Sequence, residues 1–414
     1  MANALANTTS IMNKIHAHFA VACNFIPVVR NEYEKKFAIP GGKIGDTLLI
    51  KRPNQFKYVT TQNISSTAVS ETTDALILDT WGQVSELNAD KDLVLSIDDK
   101  NDQLLIDMSN VMAENVEAIH LSNALKGIHW TVGIAGTAPT TQAYYGAARG
   151  VLNKTGVPKA ERALYLTSDT VTALIGGQTT YYNPNAEISK EYRDGDLGPL
   201  GGFKRPFEND LMSQITTGTR TGDSTNAAGS PGLTGVASIS AFTATTLSFT
   251  CTSGWTFNAG ETFQINGCYA VVNGLTKTAT FQGVISTTTT ATGGSAVITL
   301  AAPGIVVAGT GISNATISAT PVSQTITFFG AASTAYPWSF AMHPKFYTFA
   351  SVRTTTPEGA MWYGQKDWRG VSFRFWLDRN VTNSTFPLRL DMLSGGVIHP
   401  VPNYVPAVRI ACAS

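Results

Sequence analysis

Histidine side chains are the first candidates for chemistry in this sequence, and they are scattered along it. His16 and His18 could suggest a metal site, but residues two apart on a helix point away from each other. Four further histidines have no cysteine, histidine or acidic residue near them in sequence at ligand spacing: His120, His129, His343 and His399. We therefore predict that the histidines are structural and that the chain binds no metal.

Catalytic motifs are also missing from the sequence. It contains no GxSxG, no HExxH and no GxxxxGK[ST]. The stretch from Gly309 to Asn314 lacks the third glycine of a dinucleotide-binding loop. Asp98, Asp99 and Asp102 lack the glycine and terminal glutamate of a calcium loop, and their pattern favours helix capping. We predict no enzyme and no cofactor, although sequence spacing leaves open paired carboxylates that the fold brings together.

Charge and cysteine usage limit the kinds of partner and compartment. The 29 basic and 29 acidic residues cancel, so any contact with nucleic acid should be weak and non-specific. The four cysteines make no CxxC spacing, which favours a reducing compartment: Cys23, Cys251, Cys268 and Cys412. We expect neither a signal peptide nor a membrane span, because no long uninterrupted apolar run occurs.

The longest element that the sequence predicts is a helix from Asp98 to Ile128. Its apolar residues recur at helical steps: Leu104, Leu105, Met108, Val111, Met112, Val116, Ile119 and Leu125. Lys126 and Gly127 stand at its end, where a cation and a left-handed cap are favoured. A helix of about 27 residues is on the order of 40 Å long, enough to cross a domain.

The amino-terminal part predicts a helix and then an extended hairpin. Residues 8–25 have near-helical apolar spacing, with Thr8, Thr9 and Ser10 as cap candidates and Pro27 after them. This helix packs either on its own domain or on a neighbouring subunit. Three strand-like runs follow: Thr47 to Lys51, Lys57 to Thr60 and Asp92 to Ile97.

The polar stretch from Gln62 to Thr73 predicts an exposed tip between two of these strands. A projecting hairpin cannot bury Phe56, Tyr58 and Trp81 by itself, so we expect a subunit contact there. The alternative is a hairpin that lies flat on its own domain. Periodicity alone does not separate the two.

The middle of the chain alternates helix and strand, which is typical of an α+β domain. A helix is predicted from Gln142 to Thr155, ended by Gly156 and Pro158. A buried strand follows over 162–168, and Ser168 can cap a helix that runs to Gly176. Residues 191–203 predict a tight, structured loop.

Residues 217–335 change sharply in composition and predict a separate β-module. Only four charged residues occur in this stretch: Arg220, Asp223, Glu261 and Lys277. Its β-prone runs are Val236 to Ile239, Thr246 to Thr250, Thr262 to Ile265, Tyr269 to Val272, Thr278 to Val284, Ala296 to Leu300 and Gln324 to Phe329. These short strands indicate a β-barrel or sandwich, with the run from Thr287 to Thr292 as an edge or loop.

Strand-like runs return near the end of the chain: Phe346 to Arg353, Val371 to Leu377, Leu388 to Leu393 and Val405 to Ile410. The chain is therefore expected to end in a sheet. Because the long helix precedes the β-module and these strands follow it, the module is predicted to be inserted into a domain that the last strands complete.

The order of these parts resembles the major capsid proteins of tailed bacteriophages, which have the Hong Kong 97-type fold. Within that family the chain is most similar to coat proteins of short-tailed phages with an inserted β-barrel domain. The resemblance covers nearly the whole chain. Its most specific stretches are Tyr192 to Phe203, Phe257 to Tyr269, and Leu388 to Gly396 followed by Pro400 and Pro402.

The resemblance implies an α+β Hong Kong 97-type fold divided as follows: an amino-terminal arm at 1–32, an extended loop at 33–97, a peripheral domain at 98–160 with its spine helix at 99–128, the first part of an axial domain at 161–216, an inserted β-barrel domain at 217–338, and completing strands at 339–414. It implies a protein of the virion capsid, assembled in the host cytoplasm. Hexamers and pentamers of the chain would tile an icosahedral shell around packaged double-stranded DNA, with a scaffolding protein and a portal protein as further partners.

Two departures from the family pattern bear on how such a shell would be held together. The family's inserted domain can carry a charged loop that bridges capsomers, but here Gly222 to Gly235 holds one charge, Asp223. Some relatives also cross-link through a loop lysine. Lys43, Lys51 and Lys57 are present, yet the polar tip contains no lysine, so we predict non-covalent closure.

The predicted assembly-interface residues are Lys51, Phe56, Lys57, Tyr58, Trp81, Arg193, Asp194 and Asp223. A competing hypothesis is a phage tail, decoration or receptor-binding protein in which the β-module binds glycan. The long helix and the missing signal peptide weigh against a secreted adhesin.

Overall fold

The computed structural model describes residues 3–31, 47–52, 62, 71, 73–89, 98–177, 199–203, 205–220, 239–272, 275–308, 315–355, 359–360, 362–368, 370–380, 385–400 and 404–413. The fold is mixed α+β, as predicted. The chain divides into two compact units. The first unit comprises Met1–Ile50, Asp74–His120 and Tyr347–Val397, and the second unit comprises Lys51–Thr73, Leu121–Phe346 and Ile398–Ser414.

The described helices are α1 (Asn3–Ala22), α2 (Asp98–Lys126), α3 (Gln142–Lys154) and α4 (Ser168–Gly177), with a 3₁₀ turn at Pro344–Phe346. The long helix predicted from apolar periodicity is confirmed as α2, and α3 and α4 also lie where they were predicted. None of the described helices combines the length and hydropathy that a membrane span requires.

The described strands are β1 (Leu48–Lys51), β2 (Thr73–Leu76), β3 (Thr80–Ala89), β4 (Trp130–Val132), β5 (Ala163–Leu166), β6 (Arg205–Glu208), β7 (Ile215–Thr216), β8 (Ile239–Phe242), β9 (Thr246–Thr250), β10 (Thr256–Phe257), β11 (Thr262–Val272), β12 (Leu275–Thr287), β13 (Thr289–Thr290), β14 (Ser295–Leu300), β15 (Ile326–Phe328), β16 (Ala335–Tyr336), β17 (Trp338–Met342), β18 (Tyr347–Val352), β19 (Trp362–Trp368), β20 (Val371–Leu377), β21 (Thr385–Ile398) and β22 (Ala407–Ala411). The predicted runs at 57–60 and 92–97 lie outside the described residues.

The first unit is built on a sheet in the order β18-β21-β20-β19, with β3 also paired to β21. β3 runs antiparallel to β21 over its whole length, from Thr80 opposite Ser394 to Ala89 opposite Thr385. One face of this sheet carries helices. Phe373 of β20 packs against Phe19 of α1, with ring centroids 4.7 Å apart, and a Cβ on Gly82 of β3 would lie 3.2 Å from the Met112 sulfur of α2.

The second unit contains a five-stranded sheet in the order β4-β22-β17-β5-β6. Every residue of β17, β22 and β5 is buried, and all three strands read as nearly continuous apolar runs. The helices α3 and α4 contribute Tyr145, Leu152 and Leu174 to the same core. The central strands of this sheet are therefore buried on both faces.

The second unit also contains a six-stranded antiparallel sheet in the order β15-β11-β12-β14-β9-β8. Its interior is aromatic, with the rings of Phe257 and Phe263 lying 5.2 and 5.9 Å from Phe328. These residues belong to one continuous apolar cluster with Trp130, Tyr145 and other residues outside 217–338. The boundaries of an inserted domain stay a prediction, but its core is shared with flanking chain.

The amino-terminal helix differs from its prediction at both ends. It begins at Asn3, so Thr8, Thr9 and Ser10 lie inside it rather than capping it. The reason is that the preceding Asn-Ala-Leu-Ala run contains helix formers and no breaker. Its end at Ala22 comes earlier than predicted, since the backbone N–H groups of Asn24 and Phe25 bind a carboxylate of α2 instead of helix carbonyls.

Two further details differ from their predictions, one at the end of α2 and one within β11. Gly127 does not take a left-handed cap, because it is absent from the positive-φ glycines of the described chain; instead, a Cβ there would overlap the Ile398 side chain. The two predicted runs at 262–265 and 269–272 are one strand, β11, and a register shift lies between them. Gly267 itself has a φ of 78°.

The threonine-rich run from Thr287 to Thr292 forms an edge, in agreement with its prediction. Within it the two-residue strand β13 pairs with β10, with Thr289 opposite Phe257. In such a short pairing the strands are joined through their backbones, and successive side chains point to opposite faces. The run is therefore a structural edge of the second unit.

Candidate functional site

Two of the predicted interface residues lie in the described part of the chain. Lys51 ends β1, is well exposed, and its ammonium nitrogen lies 2.9 Å from a Glu71 carboxylate oxygen. Trp81 lies in β3 and is 43% exposed. The others lie outside the described residues: Phe56, Lys57, Tyr58, Arg193, Asp194 and Asp223. Because the Lys51–Glu71 pair is exposed, it contributes little to stability.

The two-stranded ribbon β1–β2 carries apolar residues on both faces. Ile50 and Leu76 are buried in a cluster with Leu393. Residues at the alternate positions of the two strands point away from this cluster. Leu49 of β1 is 62% exposed, and Ile77, which directly follows β2, is 47% exposed. A solvated antiparallel ribbon ordinarily has a polar outer face. The outer face of this ribbon is therefore suited to a partner.

The sheet of the first unit has a second face, turned away from its helices. Exposure alternates along β3, so that Gly82 points to α2 whereas Trp81 and Leu87 point the other way. Leu87 is 65% exposed. Cross-strand pairing places Arg389 and Asp391 of β21 opposite odd-numbered residues of β3, and thus on this second face.

Asp391 is the centre of an ionic cluster on this face, and its carboxylate is completely buried. One carboxylate oxygen accepts hydrogen bonds from the Arg374 guanidinium, at 3.1 and 2.5 Å, and from the Trp376 indole N–H at 2.9 Å. The other oxygen accepts from Arg389 Nε. Charge-assisted hydrogen bonds of this kind compensate the cost of burying the carboxylate.

Aromatic rings surround the two arginines. The Arg374 guanidinium lies 5.7 Å from the ring centroids of both Trp81 and Trp376, and Arg389 lies 5.7 Å from Trp376. We call Trp81, Arg374, Trp376, Arg389 and Asp391 the arginine–tryptophan face. The Arg389 side chain is 31% exposed, so part of it is open to a partner.

A chain of hydrogen bonds joins α2 to two strands of the first unit. His120 Nδ1 lies 2.9 Å from the Tyr347 hydroxyl, and its Nε2 lies 3.1 Å from the Ser394 hydroxyl. Burial lowers the pKa of His120 to about 4, against a smaller opposing effect of Asp79. A serine beside a histidine could suggest a nucleophile, but Ser394 is only 1% exposed. The arrangement therefore suits packing of α2 better than catalysis.

Glu117 of α2 holds the segment that follows α1. Its Oε1 accepts backbone hydrogen bonds from Asn24 at 3.0 Å and Phe25 at 3.2 Å. The neighbouring Ser109 donates to the Ile15 carbonyl at 3.0 Å. Of the two placements left open by the sequence, the described residues thus show α1 on its own unit.

Arg409 of β22 is completely buried in the second unit. It donates from Nε to the Leu125 carbonyl at 3.0 Å and from Nη1 to the Gly260 carbonyl at 2.7 Å, and its Nη2 also binds Leu125. Burial lowers the pKa of Arg409 to about 9. A cation is favourable at the carbonyl end of a helix, so Arg409 caps α2 and ties it to the β-rich segment.

Glu261 stands next to that contact and forms a second buried ion pair. Its Oε2 binds Arg220, and its Oε1 accepts backbone hydrogen bonds from Gly218 at 2.7 Å and Asn258 at 2.6 Å. The Arg220 guanidinium lies 4.9 Å from the Phe328 ring centroid. Desolvation raises the pKa of Glu261 despite the opposing attraction of Arg220. Two of the four charged residues in 217–335 are thus used inside the fold.

These buried charges were not predicted from the sequence, although a signal for them existed. Arg374 and Arg409 each interrupt an apolar strand, in Val-Ser-Phe-Arg-Phe-Trp-Leu and Ala-Val-Arg-Ile-Ala. A charged residue at an inward position of such a strand is rarely tolerated unless it is paired or hydrogen-bonded. Their partners could not be identified from the sequence, because the cross-strand register that brings them together depends on the fold.

Metal or cofactor chemistry finds no support in the described side chains. Within the described ranges, no three histidine, cysteine or acidic side chains come together as metal ligands would. The cysteines are reduced and buried, and burial raises the pKa of Cys251 and Cys268. Raised pKa values make a thiol a poor nucleophile at neutral pH.

Comparisons with known proteins found similar structures only. No family model matches the chain, and no curated protein matches it. Among solved structures, it is similar to one from Mycobacterium phage Che8, with a TM-score of 0.48, 12% identity, and 94% of this chain and 90% of that chain covered. It is similar to the capsid structure of cyanophage P-SCSP1u, with a TM-score of 0.43, 11% identity, and coverage of 90% and 84%.

A third similar structure is the mature capsid of bacteriophage PhiM1, with a TM-score of 0.43, 10% identity, and coverage of 90% of this chain and 83% of that chain. With TM-scores below 0.5 and identities of 10% to 12%, these likenesses assign neither a function nor the role of any residue to this chain.

Proposed function

We propose that this chain is a structural major capsid protein of a tailed bacteriophage. Hexamers and pentamers of the chain would form an icosahedral shell that encloses packaged double-stranded DNA. It would be assembled in the host cytoplasm with a scaffolding protein and a portal protein, and it would act without catalysis or a cofactor. The resemblance in element order and in the quoted stretches is the sequence support for this proposal.

The structural observation that carries the proposal is the outer face of the β1–β2 ribbon. Leu49 and Ile77 are exposed there, while the opposite face of the same ribbon is buried. Exposing large apolar side chains on the outer face of a short ribbon whose inner face is buried is unfavourable unless another molecule covers them. A subunit that is surrounded by copies of itself supplies such cover all around its perimeter.

Electrical neutrality is consistent with the same role. The chain has as many acidic as basic residues, so a shell made of many copies would hold DNA without binding its phosphates tightly. Contact with packaged DNA would then be non-specific. Closure of the shell would be non-covalent, because the tip at 62–73 contains no lysine for a cross-link.

The test is assembly of the purified chain, expressed alone and with the scaffolding protein encoded by its phage. We expect closed shells or tubes of hexameric units by negative-stain electron microscopy, and a single monomer band from these particles on a denaturing gel. A ladder of covalent oligomers would contradict non-covalent closure alone. A monodisperse monomer or trimer under both conditions would contradict the capsid proposal, and binding of the β-rich segment to glycans would be measured next.

A Leu49→Ser, Ile77→Ser variant tests the ribbon itself. Both side chains are largely exposed, so we expect the subunit to fold normally but to assemble poorly. The matched control is Val297→Ser, which removes a side chain that is 50% exposed on β14. Equal loss of assembly in the control would show that the ribbon has no special role.

A further inference from the structure

The arginine–tryptophan face holds an ionic cluster with more guanidinium groups than carboxylates. Two guanidinium groups, of Arg374 and Arg389, surround the single carboxylate of Asp391. Arg374 is fully engaged, since its remaining Nη1 donates to the Thr355 carbonyl at 2.8 Å. Arg389 contributes only its Nε to Asp391, so its outer end is the part that can bind another molecule.

The surroundings of Arg389 favour a specific contact over a merely solvated charge. Its guanidinium is held beside the Trp376 ring and by Asp391, so its orientation is fixed before any partner arrives. Trp81 and Leu87 expose 43% and 65% of their surfaces on the same face. Exposed aromatic and aliphatic side chains around a fixed arginine are the composition of an interface centre.

We propose that the arginine–tryptophan face binds a carboxylate-bearing segment of a second copy of this chain. The guanidinium fork of Arg389 matches the two oxygens of a carboxylate, and Trp81 and Leu87 would cover the apolar part of the same segment. The inference rests on the proposed function, because it names residues of the contact between subunits. A nucleic-acid phosphate presents similar oxygen atoms, but the chain has no net positive charge to draw it.

The principal variant is Arg389→Ala, measured in the full chain. Asp391 keeps the hydrogen bonds from Arg374 and Trp376, but its other carboxylate oxygen loses the Arg389 donor, so we expect the unassembled subunit to stay folded with a lower thermal midpoint. We expect the concentration needed for assembly to rise about tenfold, as for loss of a central interface arginine. The matched control is Arg379→Ala, an exposed arginine just beyond the end of β20, which should assemble like the wild type.

A second variant keeps the test decisive if Arg389→Ala unfolds. Leu87→Gln changes an exposed side chain of the same face without touching the ionic cluster, and it should also raise the assembly concentration. Assembly of the wild type should weaken with added salt, and that of Arg389→Ala should respond less, because the screened ion pair is gone.

The outcomes separate this inference from the capsid proposal. If the wild type fails to assemble, the capsid proposal fails. If the wild type assembles and both variants assemble at its concentration with its salt dependence, the arginine–tryptophan face is not a contact between copies. If assembly is unchanged but binding of mixed-sequence double-stranded DNA, followed by fluorescence anisotropy, falls in Arg389→Ala, the face binds phosphate and the inference is overturned.

Discussion

At the scale of single residues, three buried arginines show three ways of compensating an interior charge. Arg374 shares the Asp391 carboxylate with a neighbouring arginine. Arg220 pairs with Glu261 and lies against aromatic rings. Arg409 has backbone carbonyls as partners, and the field at the end of α2 takes the place of a counter-ion. Each arginine connects separate elements of the fold, and Arg409 and Leu125 are 284 residues apart in sequence.

Arg409→Lys tests the capping of α2 by a side chain of the last strand. One ammonium group cannot reach the Leu125 and Gly260 carbonyls together, so we expect at least one buried acceptor to lose its donor. An unsatisfied buried carbonyl costs about 1 to 3 kcal/mol, and we expect the free energy of unfolding to fall by this amount. Urea denaturation followed by circular dichroism measures it.

The control for this prediction is Arg379→Lys, at an exposed site, which should change the free energy of unfolding by less than about 0.5 kcal/mol. A similarly small effect of Arg409→Lys would mean that the helix end is satisfied without the arginine.

Acid sensitivity follows from the buried histidines. Burial lowers the pKa of His129 to about 3, with a smaller contribution from Arg409, and that of His120 to about 4. Their pKa values in the unfolded chain are near 6.5. At a pH between 6.5 and the lower pKa of the folded state, the unfolded chain therefore binds more protons than the folded chain. Stability is therefore fully present above pH 6.5 and is lost as the pH falls below it.

We expect each of these histidines to remove about 2 to 3 kcal/mol of stability between pH 7.5 and 4.5. His129→Phe keeps a ring against Trp130 and Tyr404, whose centroids lie 5.1 and 5.4 Å from the imidazole. This variant should lose correspondingly less stability over that pH range in urea titrations. A wild-type slope in His129→Phe would refute the assignment.

At the scale of elements, the docking of α1 depends on one carboxylate. Glu117→Ala removes the acceptor for the backbone N–H groups of Asn24 and Phe25. We expect amide hydrogen exchange in residues 13–25 to become at least about tenfold faster, because local opening there becomes easier. The matched control is Glu114→Ala, an exposed glutamate one turn earlier on α2. Faster exchange spread evenly over the first unit would instead indicate general destabilisation.

The elements that the sequence predicted well are those whose periodicity and ends agree. In α2 the apolar steps and the terminal Lys126 point to the same helix, and β20 is a β-prone run in which apolar residues predominate. β3 was not predicted, because the spacing of Trp81, Val84 and Leu87 does not alternate. It is a strand because β21 offers ten residues of backbone to pair with, and that partner lies far away in sequence.

The candidate site was predictable to a similar extent. Trp81 was identified because a projecting hairpin cannot bury its own apolar residues. Arg389 and Asp391 lie only two residues apart in β21 and look like an ordinary exposed pair in the sequence. Their role depends on Arg374 and Trp376 of the neighbouring strand, and a cross-strand register cannot be derived from one strand alone.

At the scale of the whole chain, the composition of residues 217–335 suggests a module, yet its contacts tie it to the surrounding sequence. The Thr131 backbone N–H donates to the Gln282 side chain at 2.7 Å, and the Tyr404 hydroxyl accepts from the Val271 N–H at 3.1 Å. The ends of the segment lie side by side, since β7 pairs with β16. Because the two ends of the segment are adjacent, an insertion at this point during evolution is permitted. The shared core makes the inserted segment necessary for folding.

Excision of residues 217–335 tests whether the segment folds independently or depends on the core that it shares with the surrounding chain. We expect residues 217–335, expressed alone, to lack a cooperative thermal transition, because Phe263, Val272 and Phe328 belong to a core completed by Trp130 and Tyr404. Joining Thr216 to Tyr336 by a short glycine linker should leave a chain that binds a hydrophobic dye. Inserting the same linker between Gly293 and Gly294, at an exposed turn of the intact chain, is the control and should preserve folding. Cooperative unfolding of the isolated segment would show that it is an independent domain, and the contacts through Arg409 and Gln282 would then join two separately stable parts.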